Sequence, residues 1–141
     1  MSPFEADPAV KALRAWAAQG ARAINAGKFN TPGLDALMTA TFAKSMTHIF
    51  GGEKGHYYPG PVPFTPVRVT VRSASERDVD LCFVAGGYSQ HPKTHKTWSH
   101  FKELPSAAAA VLAHGTWLVS KFETGPFSCK GVHIPEPSWG G

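Results

Sequence analysis

The chain has 141 residues, 43% hydrophobic and 17% charged. That suits one folded domain with a real apolar core and excludes a disordered chain. Net charge is +4, but the 14 Lys and Arg are scattered. The densest basic stretch, HPKTHKTWSHFK (91–102), lacks the stripe of cations that a nucleic-acid face needs, so no nucleic-acid partner is expected. No apolar run approaches the roughly 20 residues of a membrane helix.

The N-terminus MSPFEADPAV shows no basic region followed by an apolar run, so no signal peptide is visible. Two readings stay open: a protein made and kept inside the cell, or a mature or excised segment. Residues 1–7 are expected to form an extended tail. The first helix is well signed. Asp7 caps it, Pro8 fits its first position and Gly27 ends it. Val10, Leu13, Ala17, Ala21 and Ile24 recur every three or four residues and form an apolar stripe, with Trp16 at its edge.

The segment 30–52 repeats the plan, from Thr31 and Pro32 to Gly51 and Gly52, with a weak point at Thr39–Thr41 that can split it in two. Next comes GHYYPGPVPFTP (55–66), with four prolines, two glycines and three aromatics. Proline removes donors and fixes φ, so this is an extended strap across the core.

The period then becomes two. Val67, Val69 and Val71 alternate with Arg68, Thr70 and Arg72, SASERD turns the chain, and Val79, Leu81 and Phe83 return on one face opposite Asp80, Cys82 and Val84. KTWSHFKEL (96–104) alternates loosely, with Trp98 and His100 or Phe101 as inward candidates. In PSAAAAVLAHGTWLVSKFE (105–123) the alanines favour helix, but Pro105 and the His114-Gly115 pair favour a hairpin, and the hairpin is the reading adopted. Small residues at 107–110 would let a large element pack closely on that strand. The Pro-rich end, 131–141, reads as an extended tail pinned by Trp139.

Helices first and strands after indicate α+β: N-terminal helices on a curved antiparallel sheet, a cone closed at one end. At this point ALRAWAAQGARAINAGKFNTPGLDAL (12–37), YYPGPVPFTPVRVTV (57–71), the cysteine strand 79–84 and GTWLVSKFETGPFSC (115–129) together resemble a nuclear-transport-factor-two-like (cystatin-like) domain. The likeness is to small actinobacterial extracytoplasmic members, often lipoproteins. It implies a single domain over 1–141 and a homodimer paired through its sheets. Its functions range from ketosteroid isomerases and polyketide cyclases to non-enzymatic binding and assembly domains, so fold alone does not choose among them.

Cys82 and Cys129 are 47 positions apart, too far for a redox pair in one turn and too few for a zinc site. Cys82 falls mid-strand and Cys129 just after the last strand, which can return beside it. A disulfide is expected, with two buried thiols as the alternative. A disulfide implies an oxidising, extracytoplasmic setting; cytoplasmic is the alternative.

Chemistry is thinly signed. His91, His95 and His100 share one stretch, but in a loop-and-strand segment they lack helical spacing, and no metal or other cofactor is expected. An isomerase-like site needs a carboxylate or His base and a Tyr, for which Asp80, His100 and Tyr58 are the candidates, with Tyr57 and Tyr88 in reserve. Asp80 alternates away from the apolar face. Glu5, Asp7, Glu53, Glu76, Asp78, Glu123 and Glu136 fall in caps, turns or tails, so no acid–base pair is expected. The aromatic set Trp16, Phe42, Tyr57, Tyr58, Trp98 and Trp117 either lines a pocket or fills the core. The expectation is a non-catalytic domain binding a small apolar ligand or a protein partner. The alternatives are an isomerase- or cyclase-like enzyme and an envelope-assembly component.

Overall fold

The computed structural model describes residues 3–28, 31–51, 53–86, 88–97 and 102–139, apart from the side chains of 48–51, 85, 86 and 102. Helix α1 (Pro8–Ala26) starts where Asp7 Oδ1 accepts from the Ala9 amide at 2.8 Å and stops at Gly27, whose φ of 67° lets its amide reach back to Ala23 and Ile24. The residues before it, expected to be extended, form a single 3-10 turn, Pro3–Ala6.

The second helical segment does split, into α2 (Pro32–Asp35) and α3 (Ala40–Gly51). Between them the chain docks on the sheet edge. The Thr39 amide donates to the Val119 carbonyl at 3.0 Å, and the Val119 amide donates to Leu37 at 2.8 Å. Thr39 then caps α3 through its hydroxyl, which accepts from the Phe42 amide. A backbone spent on sheet bonds cannot also continue a helix, which is the reason for the break.

Four antiparallel strands follow in the order β1 (Phe64–Ser73), β2 (Glu76–Gly86), β3 (Lys102–Ala113) and β4 (Thr116–Thr124). The architecture is α+β, with α1 laid across β2, β3 and β4. The β3–β4 connection is a two-residue turn with both His114 (φ 51°) and Gly115 (φ 79°) left-handed, the geometry that matches strand twist. Ala108 and Ala110 are buried beneath the helix layer, so the alanine run serves close packing and not helix propensity. The strand expected from 96 begins at Lys102. The inward candidates Trp98, His100 and Phe101 lie outside the described residues.

One alternation departs from expectation. A bulge between Pro66 and Arg68 shifts the face of β1, and Pro66 is tolerated because β1 is an edge strand. As a result Val69 packs into the main core and Val67 joins a second apolar cluster, while Val71, near the end of the strand, is 62% exposed. The three valines do not share one buried face.

The main core joins Val10, Leu13, Ala17 and Ile24 of α1 to Val79, Leu81, Ala108, Ala110 and Val119 of the sheet. It closes one end of the cone. There Arg77 reaches Asp7 at 2.6 Å and lies over the Trp117 ring at 5.2 Å. The second cluster lies on the other face of β2, where Cys82 and Val84 are covered by Cys129, Ile134, Val132 and Phe127. Cys82 and Cys129 are disulfide-bonded, their Cα atoms 5.8 Å apart. The C-terminal segment is thereby tied to the sheet and runs back along it without regular structure.

Candidate functional site

The far end of the cone from the Arg77–Asp7 pair is not filled. A cavity of about 300 Å³ opens between the second half of α1 (Trp16, Ala17, Gly20, Ile24), Met46 of α3, the strap (Tyr58, Val62) and the ends of all four strands, including Phe83, Leu104 and Phe122. Its walls are mainly carbon. Trp16 meets Phe122 at 5.1 Å between ring centroids, and Phe122 meets Phe83 edge-on at 5.1 Å. These ring contacts fix the wall shape.

Two polar groups face each other on this apolar lining, Glu53 and Tyr58. Glu53 follows α3 in a turn closed by the His56 amide, which donates to the Glu53 carbonyl at 3.0 Å. Burial first, then the charge of Glu53 and its hydrogen bonding to the phenol, push the Tyr58 pKa far above its ordinary 10.0. Tyr58 is therefore a neutral phenol at any physiological pH. The His56 Nδ1 lies 3.0 Å from Glu53 Oε2 and 3.0 Å from Ser89 Oγ. Both contacts use one ring nitrogen, so this is not the relay of a nucleophilic triad, where base and orienting acid occupy opposite nitrogens. Oε2 itself is buried and has no hydrogen-bond partner among the described residues, so the His56 contact is a close approach without hydrogen-bond alignment.

Tyr58 is held from behind. Its amide donates to Asn25 Oδ1 at 2.6 Å, and its carbonyl accepts from Asn25 Nδ2 at 2.9 Å and from the Trp139 indole at 2.8 Å. The Trp139 amide also donates to the Pro59 carbonyl. Two residues on, the strap passes against the C-terminal segment at Gly60, where a Cβ would strike the Pro137 carbonyl and the Tyr88 hydroxyl. On its other side Tyr57 exchanges both backbone hydrogen bonds with Gln90. The proline-rich strap, unable to use a full strand ladder, is fixed by side chains and by the disulfide-tethered segment instead.

Of the residues expected at a pocket, Trp16 and Tyr58 line the cavity. Phe42 packs tilted against Trp16, 5.8 Å between ring centroids, and faces a neighbouring groove between α3 and β4. Tyr57 turns away and stacks on His95 at 5.4 Å. Trp117 sits at the closed end under Arg77. Trp98 and His100 lie outside the described residues. Asp80 is on the opposite face of the sheet, bonded to Arg68 at 2.9 Å, and contributes nothing to the cavity. Tyr88 packs in the second cluster and donates to the Pro137 carbonyl at 2.5 Å. His91 and His95 are joined by a backbone turn, and among the described residues no three His, Cys, Asp or Glu gather as metal ligands.

Glu53 lies in a turn, as expected, and the structure brings it beside Tyr58 at the cavity. A glutamate two residues past a helix, within a Gly-rich turn, carries no periodic signal; only the fold-back of the strap brings it to Tyr58.

No protein-family model matches the chain, and no curated protein matches it. Among solved structures, the intermembrane space region of the chloroplast protein ARC6 aligns with a TM-score of 0.47 and 12% identity, over 89% of this chain and 98% of that one. That likeness is too slight to carry fold or function across.

Proposed function

We propose that this is an extracytoplasmic binding domain of the nuclear-transport-factor-two-like kind, holding a small apolar molecule in the open end of its cone. The observation that carries this is the cavity of about 300 Å³ walled by Trp16, Phe64, Phe83 and Phe122. It lies at the small end of ligand pockets, roughly 300–1,000 Å³, and is mostly apolar with few polar groups, as such pockets are. The disulfide fits an oxidising compartment. No described helix is long and apolar enough to cross a membrane.

The test is titration with prodan, a neutral dye whose emission moves to the blue in apolar surroundings. The native protein shifts it. Val62→Trp and Ala17→Phe, which fill the cavity from the strap and from α1, abolish the shift while remaining folded by circular dichroism. An equal shift with the filled variants, or none with the native chain, removes the reading.

A second reading has its own support: a carboxylate and a neutral phenol meeting in an apolar cavity are the parts of an isomerase- or cyclase-like site, with Glu53 as base and Tyr58 as oxyanion donor. Exchange of the α-protons of a small apolar ketone, followed by NMR in D2O, tests it. Enzymatic exchange would fall by about 10²-fold or more in Glu53→Gln and in Tyr58→Phe; a rate no greater than buffer alone eliminates it.

A further inference from the structure

The charge of the cavity runs against the charge of the chain. A protein of net charge +4 lines this space, among the described residues, with two carboxylates, Glu53 and Glu123, and no Lys, Arg or His. Glu53 is the less exposed of the two, its side chain 35% exposed. Its Oε2 is buried without a hydrogen-bond partner, with only the His56 contact beside it. A carboxylate in apolar surroundings is costly unless donors or a cation compensate it. Glu123 stands at the rim beside Thr124 and is exposed.

The other polar groups of the lining, Tyr58, Thr124 and the Trp16 indole, are neutral, and Tyr58 is kept so by burial first and then by the charge of Glu53. The charge on this side of the cavity is therefore negative. The surrounding walls include the aromatic rings of Trp16, Tyr58, Phe83 and Phe122, and aromatic rings attract a cation through their faces; one face of Phe64 is already taken by Arg14, at 3.8 Å. An anionic ligand would meet two carboxylates and no described cation. A neutral alcohol would gain one hydrogen bond to Glu53 and no charge pairing with it.

We propose that the occupant is an apolar amine, bound as its ammonium, with the cation against Glu53 and the aromatic walls and its hydrocarbon body in the carbon-lined recess. This rests on the cavity being a binding site, and it adds the chemical class of the ligand. His56, 3.0 Å from Glu53 Oε2, is not part of the cavity lining.

The experiment uses three probes of one shape, 4-tert-butylbenzylamine, 4-tert-butylbenzyl alcohol and 4-tert-butylbenzoate, titrated calorimetrically into the oxidised protein at neutral pH. The amine binds at least about tenfold tighter than the alcohol, as a charge-assisted hydrogen bond allows, and the carboxylate binds weakest. Glu53→Gln erases the preference of amine over alcohol; Glu123→Gln, at the exposed rim, reduces it less. Thermal melts confirm that both variants are folded. Equal binding of all three probes, or tightest binding of the carboxylate, overturns the amine assignment and leaves the cavity reading standing. Binding of none of them, with no prodan shift either, overturns both. A preference for amine that survives Glu53→Gln also overturns the assignment, because the discriminating charge would then lie elsewhere.

Discussion

The side-chain amide of Asn25 holds both backbone polar groups of Tyr58, accepting from its amide at 2.6 Å and donating to its carbonyl at 2.9 Å. The last turn of α1 thus grips the strap at the residue whose phenol enters the cavity. Asn25→Ala removes two hydrogen bonds worth about 1 kcal/mol each. The expected loss is about 2 kcal/mol in urea denaturation, together with weaker prodan binding. Asn25→Asp keeps the acceptor but loses the donor, and should fall between the two. An Asn25→Ala protein with native stability and native dye binding would show that the grip is incidental.

The disulfide closes a loop 47 residues long. Cross-linking such a loop restricts the unfolded chain by about 4 kcal/mol. The Cys82→Ala/Cys129→Ala protein should be less stable by an amount of that order, and protease should reach the segment after residue 129 first, since Cys129, Ile134 and Val132 hold it on the sheet. Alkylation of the denatured, unreduced native protein should add no mass. Two added labels would remove the disulfide and, with it, the argument for an oxidising compartment.

Gly60 has no room for a side chain. A Cβ there would lie 2.5 Å from the Tyr88 hydroxyl and strike the Pro137 carbonyl as well. Gly60→Ala must push the C-terminal segment off the strap, at a cost of about 1–3 kcal/mol. The diagnostic readout is faster proteolysis within 130–139. A variant as resistant as the native chain would mean that the strap yields instead.

The buried phenols set an alkaline limit. Tyr58 is raised well above 10.0, by burial first and then by Glu53, and Tyr88 is pushed up to about 12, by burial first and then by the charge of Glu136. A raised phenol keeps its proton in the folded state after the unfolded chain has lost it. Its contribution is therefore fully present below pH 10 and is lost as pH rises from 10 towards 12. The urea midpoint should be insensitive to these groups below pH 10 and fall steeply above it, with a shallower fall in Tyr58→Phe. An unchanged slope in that variant would place the Tyr58 phenol in water.

Asp7 has two tasks: it caps α1 and faces Arg77 at 2.6 Å across 70 residues of sequence. Asp7→Asn keeps the cap and drops the charge; Asp7→Ala drops both, and should cost about 1 kcal/mol more by calorimetry. Equal costs would assign the whole effect to the ion pair.

Much of the frame was legible because it is local. Asp7, Pro8 and Gly27 mark α1 through backbone rules that hold wherever the segment sits. The His114-Gly115 pair marks the β3–β4 turn because a two-residue hairpin needs left-handed φ at both positions. The alternation of β2 placed Cys82 and Asp80 opposite Val79, Leu81 and Phe83, and with Cys129 after the last strand that sufficed to expect the disulfide.

The site was not legible in the same way. Val67 follows the same alternation as Val69 yet ends on the other cluster, because a bulge at Pro66–Arg68 depends on what β2 and the C-terminal segment offer as partners. Trp16 and Trp117 are both aromatic residues of the apolar layer, but one lines a void and the other caps a filled end, and only packing volume separates them. The strap gave its composition and not its destination. What the chain determines by itself is the set of elements and their faces, since each follows from interactions a few residues apart, and one covalent tie, since only two cysteines are available to form it. The meeting of Glu53 with Tyr58 comes from folding α3, the strap and the tethered C-terminal segment against one another. Those contacts span tens of residues, so no local pattern records them.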